Sequence, residues 1–583
     1  MIRFNEMNTR NDVANFLKIP IKKLTHTLYI VGVDNLYTSF EIPKKSGSFR
    51  HINAPSKDLK SIQKRIAFSL WEHQKQVWIE NNIKSRISHA FQKEKGIITN
   101  AEIHQNKRFV LNMDLENFFE SFHFGRVKGF FEKNKYFLLP KEVATVIAQL
   151  TCYKGHLPQG APSSPIITNL ICNSLDMRLV QISKKYKLNY TRYADDLTFS
   201  TNNKHFLAQY SDFCEEIAKI IERSGFKINE NKTRLQYRDS KQEVTGLTVN
   251  KKINVDRNYY KTTRSMAHSL YTTGEFEIDG KKGTVNQLEG RFSFINQIDT
   301  YNINISKSKD NKFKSDFYNL NSREKQYQKF LLYKYFFANS KPLIVTEGKT
   351  DIDYIKSALK NLYLEYPNLI SKNSDGTFEF KVTFLNRTKR LNHFLNIVQD
   401  GADTMKNIYN YYSENNATKY PRHLKSFLKT GFTPRNPVIL VLDNEIHNKK
   451  KPLYNFIDHI KLDKNPEGKS FFEKEHYLNI TSNLYLLTHQ LVDGLLECEI
   501  EDLFDQATLN QTINGKNFER NEKVFNSSIH FSKAKFAEHI SKNYKEINFN
   551  NFKHMLNNLN TIISTYEQVI LDSNDSSLEY QEI

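Results

Sequence analysis

Apolar and polar positions in the first 250 residues alternate irregularly between strand and helix periods, and two of the apolar runs end in acid. Arg108–Leu115 (RFVLNMDL) predicts a buried strand closing on Asp114. Asn189–Ser200 (NYTRYADDLTFS) is a pair of β-prone runs around Ala194-Asp195-Asp196, which predicts a hairpin with two carboxylates at its tip. From Lys251 to Leu270 the pattern becomes helical and basic. Later, Pro342–Thr346 (PLIVT) predicts a short strand feeding a helix from about Thr350, and Pro437–Leu442 (PVILVL) a second buried strand. That is α/β patterning. The polar stretch from Ile303 to Gln328 predicts a join near residue 335, and a weaker one falls near residue 250. The expected division is therefore 1–250, 251–335 and 336–583.

Composition changes the picture little. A chain of 583 residues exceeds what one core supports, and 42 Phe with 30 Tyr exclude a disordered polymer. Cys152, Cys172, Cys214 and Cys498 are scattered without a CxxC pair, so neither a zinc knuckle nor a disulfide framework is expected. The absence of an apolar run of about 18 residues or a secretory N-terminus leads to the expectation of a cytoplasmic protein with no membrane partner.

Charge changes it more. The net charge is +20, and residues 1–340 hold 54 Lys and Arg against 33 Asp and Glu, whereas 341–583 hold 30 against 31. A basic excess confined to one part of the chain is the footprint expected of a phosphate-backbone partner.

Adjacent acids at a tight turn repel one another and resist desolvation, so Asp195 and Asp196 beside hydrophobic strands call for a counter-charge. With Asp114 they form a set of oxygen ligands suited to two Mg²⁺ ions. Tyr193-Ala194-Asp195-Asp196 between strands, with Asp114 upstream and Phe118-Phe119 after it, resembles the palm of reverse transcriptases. The resemblance continues in order along roughly the first 300 residues. It implies that Arg50, in KSGSFRHINAP, holds the incoming triphosphate. It likewise implies that Gln159 and Gly160, in LPQGAPSSP, line the nucleotide pocket, that Phe119 rejects a ribose 2′-hydroxyl in favour of dNTPs, and that Lys232, in NENKT, stands near the leaving pyrophosphate.

Asn100-Ala101-Glu102-Ile103-His104 is similar to the NAxxH signature, and Val244-Thr245-Gly246 to the VTG signature, of bacterial retron reverse transcriptases. This resemblance implies a cognate structured non-coding RNA as template, an internal guanosine 2′-hydroxyl as primer, and a branched RNA–DNA hybrid (msDNA) as product. Asn100, His104, Val244, Thr245 and Gly246 are expected to take part in RNA recognition, with Lys251, Lys252, Arg257, Lys261 and Arg264 of a thumb on phosphates.

Beyond the join, Ile344–Asp351 (IVTEGKTD) and Val438–Glu445 (VILVLDNE) each place acids after a strand. Together they resemble the TOPRIM fold of topoisomerases, primases and overcoming-lysogenization-defect nucleases. That resemblance implies one or two Mg²⁺ ions on Glu347, Asp351, Asp443 and Glu445. Glu501 in EIEDLF and Lys533 in KAKFA are similar to accessory elements that complete the nuclease site. Two departures stand out: Glu445 replaces the usual aspartate, and the long gap between Glu347 and Asp443 requires an insertion. No GxxxxGK[ST] loop occurs, so ATP-driven work is not expected.

The expected architecture is an α+β right-hand polymerase (fingers, palm, thumb) followed by an α/β TOPRIM domain with a helical extension. The expected function is retron RNA-directed DNA synthesis joined to a metal-dependent nuclease acting in anti-phage defence, on a DNA or an RNA target, with assembly of several copies open. The alternatives are a reverse transcriptase of another lineage using a 3′-hydroxyl primer and a C-terminal domain serving as non-catalytic scaffold.

Overall fold

An all-antiparallel sheet and a mostly parallel one mark two parts of the chain. A computed structural model describes residues 4–44, 47–83, 87–309, 316–398, 403–413, 420–521 and 523–579. The chain divides into two compact units, 1–259 and 260–583.

In the first unit, β1 (Tyr37–Pro43) and β2 (Phe49–Pro55) form an antiparallel hairpin with Ile42 opposite Arg50. β3 (Phe109–Asp114) is almost wholly buried, as its hydrophobic run predicts. It lies between β5 (Asp196–Thr201) and β6 (Arg234–Tyr237), and β4 (Asn189–Tyr193) completes the order β4-β5-β3-β6. All pairings are antiparallel, and the β3–β5 register sets Asp114 directly opposite Asp196. The helices Ser164–Lys185 and Tyr210–Arg223 supply buried residues, among them Leu175, Phe213 and Ile217, to the core that also holds Leu111 and Phe199 of the sheet. A small hairpin, β7 (Glu243–Val244) with β8 (Leu247–Thr248), follows. The basic stretch after residue 250 leads into the helix Arg257–Thr273, which from Tyr260 onward belongs to the second unit.

In the second unit, a short hairpin of β9 (Glu277–Ile278) and β10 (Lys281–Lys282) precedes the helices Val285–Lys309 and Ser322–Leu332. β11 (Leu343–Thr346) opens a five-stranded sheet. β12 (Ile370–Lys372) and β13 (Phe378–Phe380) pair apart from it, while β14 (Thr383–Phe384), β15 (Val438–Val441), β16 (Tyr477–Thr481) and β17 (Leu484–Leu487) join it in the order β14-β11-β15-β17-β16. Only β16 runs antiparallel. Alternate residues of β11 and β15 enter two different hydrophobic clusters: Leu343, Val345, Val438 and Leu440 on one face, Ile344, Ile439 and Val441 on the other. Both faces are therefore covered, as parallel strands require.

The join expected near residue 335 falls inside the second unit. Within the polar stretch, Phe317, Leu320 and Tyr327 share a cluster with Leu343 and Val438, and Asn321 caps the helix Ser322–Leu332 through a capping box. Residues 310–315 of that stretch lie outside the described residues. The four cysteines are free, and Cys152, Cys172 and Cys498 are buried. Among the described residues, no helix is long and apolar enough to cross a membrane.

Candidate functional site

Two carboxylate clusters stand out, one in each unit. In the first, Ala194 and Asp195 form the two-residue link between β4 and β5, with Tyr193 paired to Asp196 and a left-handed φ of 56° at Ala194. Such a link turns the chain back at once, and so sets consecutive acids at the tip. The backbone N–H of Leu115 donates to the carbonyl of Asp195 at 3.0 Å, locking the tip to the end of β3. Asp114, Asp195 and Asp196 are thus brought together.

Burial raises the pKa of Asp195, and the charge of Asp114 adds to this against the pull of Lys232 and Arg50. Asp196 is pushed up to about 7, by burial first and then by Asp195 and Asp114. Asp196 is nonetheless exposed as a residue, so solvent screens part of that repulsion. The Lys232 ammonium lies 2.9 Å from both oxygens of Asp114, and Asn229 Nδ2 donates to Oδ1 at 3.2 Å.

The surrounding residues fit a nucleotide pocket. Arg50 is exposed on β2, within electrostatic reach of Asp195. The backbone N–H of Asn53 donates to the carbonyl of Gln159 at 2.8 Å, pinning the 157–165 loop to the hairpin. Gly160 has φ 127°, and a Cβ there would come within 2.8 Å of the Asn53 carbonyl oxygen, so only glycine allows this approach. Phe119 is half-buried against Phe118, with ring centroids 5.5 Å apart.

Of the signature residues, Asn100, His104 and Val244 face the interior. Asn100 and His104 are fully buried and have no surface to offer an RNA. His104 Nδ1 contacts Ser200 Oγ and Nε2 contacts Thr191 Oγ1, each at 2.7 Å, while Thr191 donates to Asn100 Oδ1 at 2.5 Å. Burial holds the imidazole at about 3, so it stays neutral and clamps the helix Ile97–Ile103 to β4 and β5. Val244 is also fully buried. Thr245 and Gly246 form the β7–β8 turn with φ of 46° and 79°, and Thr245 Oγ1 reaches the Ile97 carbonyl, at the start of the helix that carries Asn100, at 3.4 Å. Lys251, Lys252, Arg257, Lys261 and Arg264 are all exposed.

Sequence reasoning missed the support behind the tip. Arg192 is fully buried and clasps Asp176 through Nε at 2.9 Å and Nη2 at 2.8 Å, and its Nη1 donates to the Ala194 carbonyl at 3.2 Å. A charged residue within a β-prone run of Tyr and Thr was the available signal.

The second cluster lies at the carboxyl ends of β11 and β15, where open parallel sheets hold their ligands. Glu347 follows β11 directly, and its buried Oε2 has no hydrogen-bond partner. Its carboxyl is pushed up to about 8, by burial first and then by Asp443 and Glu445. Asp351 Oδ2 accepts from the Gly348 N–H at 2.7 Å, and burial followed by Asp443 pushes it up to about 6. Asp443 Oδ1 accepts from the Ile500 N–H at 2.9 Å. Glu445, raised by burial, pairs with Lys451 at 2.5 Å.

Glu501 is buried and reaches Lys533 at 3.2 Å. Burial pushes Glu501 up to about 7, whereas Lys533 is itself raised, the attraction of Glu501 and Glu499 outweighing its burial. These tendencies oppose, and the close contact decides for an ion pair. Glu499, Lys451 and Arg520, the last 2.8 Å from Asp502, were not singled out in the sequence. Nor was His489, whose Nε2 lies 3.7 Å from Asp443 Oδ1.

Among the described residues, no three His, Cys, Asp or Glu side chains close around an ion position. Ammonium groups of Lys232, Lys451 and Lys533 neutralise the acids instead. The donor sets still fit a divalent cation: carboxylates held above their ordinary range, and at Glu347 an oxygen that nothing satisfies.

The profile of the reverse transcriptase (RNA-dependent DNA polymerase) family matches residues 42–250. The chain is 33% identical over 302 residues to the retron Ec86 reverse transcriptase of Escherichia coli, a match covering 50% of this chain and 86% of that protein. It is 31% identical over 330 residues to the retron Mx162 reverse transcriptase of Myxococcus xanthus, covering 50% and 64% respectively. Among solved structures, apo telomerase from Candida tropicalis superposes with a TM-score of 0.28 at 16% identity, over 38% of this chain and 55% of that one.

Proposed function

Because the chain belongs to the retron reverse transcriptases, we propose that its first site copies a cognate structured non-coding RNA into DNA from an internal guanosine 2′-hydroxyl, giving a branched RNA–DNA hybrid. The observation that carries the catalytic assignment is the register that sets Asp114 opposite Asp196 with Asp195 at the adjoining turn. These three carboxylates would hold Mg²⁺, which when bound supplies Lewis-acid activation of the primer hydroxyl and of the α-phosphate. The protein's own groups do the rest. Arg50 grips the triphosphate bidentately, Gly160 lets the backbone approach the nucleotide, and Phe119 excludes a ribose 2′-hydroxyl. Lys232 leaves Asp114 for the departing pyrophosphate. Substituting Asp195 and Asp196 by Asn abolishes dNTP incorporation while RNA binding persists; retained synthesis defeats the assignment. Sequencing the copurified nucleic acid for a 2′–5′ branch separates this reading from 3′-hydroxyl priming.

The second unit is read as a TOPRIM-like nuclease effector restrained by the hybrid and released in anti-phage defence. Its support is the convergence of Glu347, Asp351, Asp443, Glu445, Glu501 and Lys533 at one sheet edge. Glu347→Ala and Asp443→Ala are expected to remove its toxicity in cells, and unchanged toxicity points to a scaffold.

A further inference from the structure

We propose that His489 is a nitrogen ligand, together with Asp443, of a divalent transition-metal ion of the Mn²⁺ class at the edge of β11, β15 and β17. The proposal rests on the reading of the second cluster as a metal site and adds a donor that no sequence motif assigns. Val441 pairs with Leu487, so Asp443 and His489, each two residues further on, leave adjacent parallel strands at the same level. Two bonds tie those strand ends together: Asn444 Nδ2 donates to the His489 carbonyl at 2.7 Å, and Thr488 Oγ1 donates to the Leu442 carbonyl at 2.8 Å.

The tautomer follows from the partner. His489 Nδ1 lies 3.1 Å from the carbonyl oxygen of Gln490, which can only accept, so Nδ1 carries the proton. With Nδ1 so engaged, Nε2 is the ring atom left to present a lone pair to a metal. That atom is buried, has no hydrogen-bond partner, and faces Asp443 Oδ1 at 3.7 Å, too far for a hydrogen bond. A lone pair facing a carboxylate in a buried site is repulsive unless positive charge lies between them. Glu347 Oε2, a second unsatisfied acceptor, belongs to the same cluster. An Nδ1–H held by a backbone carbonyl is also the arrangement that commonly orients a metal-binding imidazole. Carboxylates alone suit Mg²⁺, whereas an added imidazole shifts preference toward transition metals.

The test uses the full chain carrying Asp195→Asn and Asp196→Asn to silence the first site, stripped with chelator and loaded with substoichiometric Mn²⁺. Pulsed electron paramagnetic resonance is expected to show nitrogen modulation from a coordinated imidazole, altered when histidine is ¹⁵N-labelled. In H489Q the modulation disappears and Mn²⁺ affinity falls about tenfold or more, with a smaller loss for Mg²⁺. Bound Mn²⁺ without nitrogen modulation overturns the role of His489, leaves the metal site standing, and assigns the ring to an imidazolium–Asp443 pair. The same overturning follows if the modulation survives H489Q. Failure to bind Mn²⁺ removes the metal reading itself. The parent spectrum decides independently of how the variant folds.

Discussion

A buried guanidinium is tolerated only when its charge and donors are met. Arg192 is such a case, and its partner Asp176 also accepts from Tyr190 Oη at 2.9 Å. Removing one member leaves the other charged and unpaired, which costs about 3–5 kcal/mol. Asp176→Asn is therefore expected to lower the urea midpoint by that equivalent, and to slow dNTP incorporation by releasing the Ala194 carbonyl at the hairpin tip. Glu347 makes a prediction of the opposite kind. Its folded carboxyl is raised from 4.5 to about 8. Below about 4.5 it is protonated folded or unfolded, and contributes no penalty; as pH rises toward 8 the unfolded chain releases a proton that the folded chain retains, so stability falls. Asp351, raised to about 6, acts in the same direction. In chelator, the Tm should drop between pH 5 and 8, Glu347→Gln should flatten that drop, and a divalent cation should reverse it.

Elements with one dominant signal were legible in the sequence. β3, β11 and β15 are apolar runs with acids at or just after their ends, and the β4–β5 hairpin is marked by its adjacent acids, a pattern that stands out from the surrounding sequence. The helix Ser322–Leu332 was not legible, since its buried Tyr327 and Phe330 are outnumbered by polar neighbours, and only the sheet face beneath shows what they pack against. The same blindness applied to His104: a polar clamp and an RNA contact look alike until burial is known. On the helix Arg257–Thr273, Arg257, Lys261 and Arg264 recur at helical spacing and are exposed, while Thr263, Ala267 and Leu270 are buried. Replacing the three cations by Gln should lower the salt-dependence slope of RNA–DNA duplex binding by about two to three, read by fluorescence anisotropy over a salt series. An unchanged slope would make them solvated surface.

At the scale of the whole molecule, the basic excess of the first 340 residues and the near-neutral remainder divide the electrostatics unequally, while each compact unit carries its own acidic cluster. Sites without shared partners are expected to respond independently. Asp195→Asn with Asp196→Asn should leave Mn²⁺ affinity at the second cluster unchanged, and Glu347→Ala should leave dNTP incorporation unchanged. Coupling between the two measurements would show that the sites communicate. The ammonium of Lys232, bridging both oxygens of Asp114, gives the polymerase centre a resident counter-ion. On the proposed reading, loading a divalent ion would be an exchange of cations: the arriving positive charge would be partly cancelled by the one displaced, and the lysine would be set free for a nucleotide's leaving group.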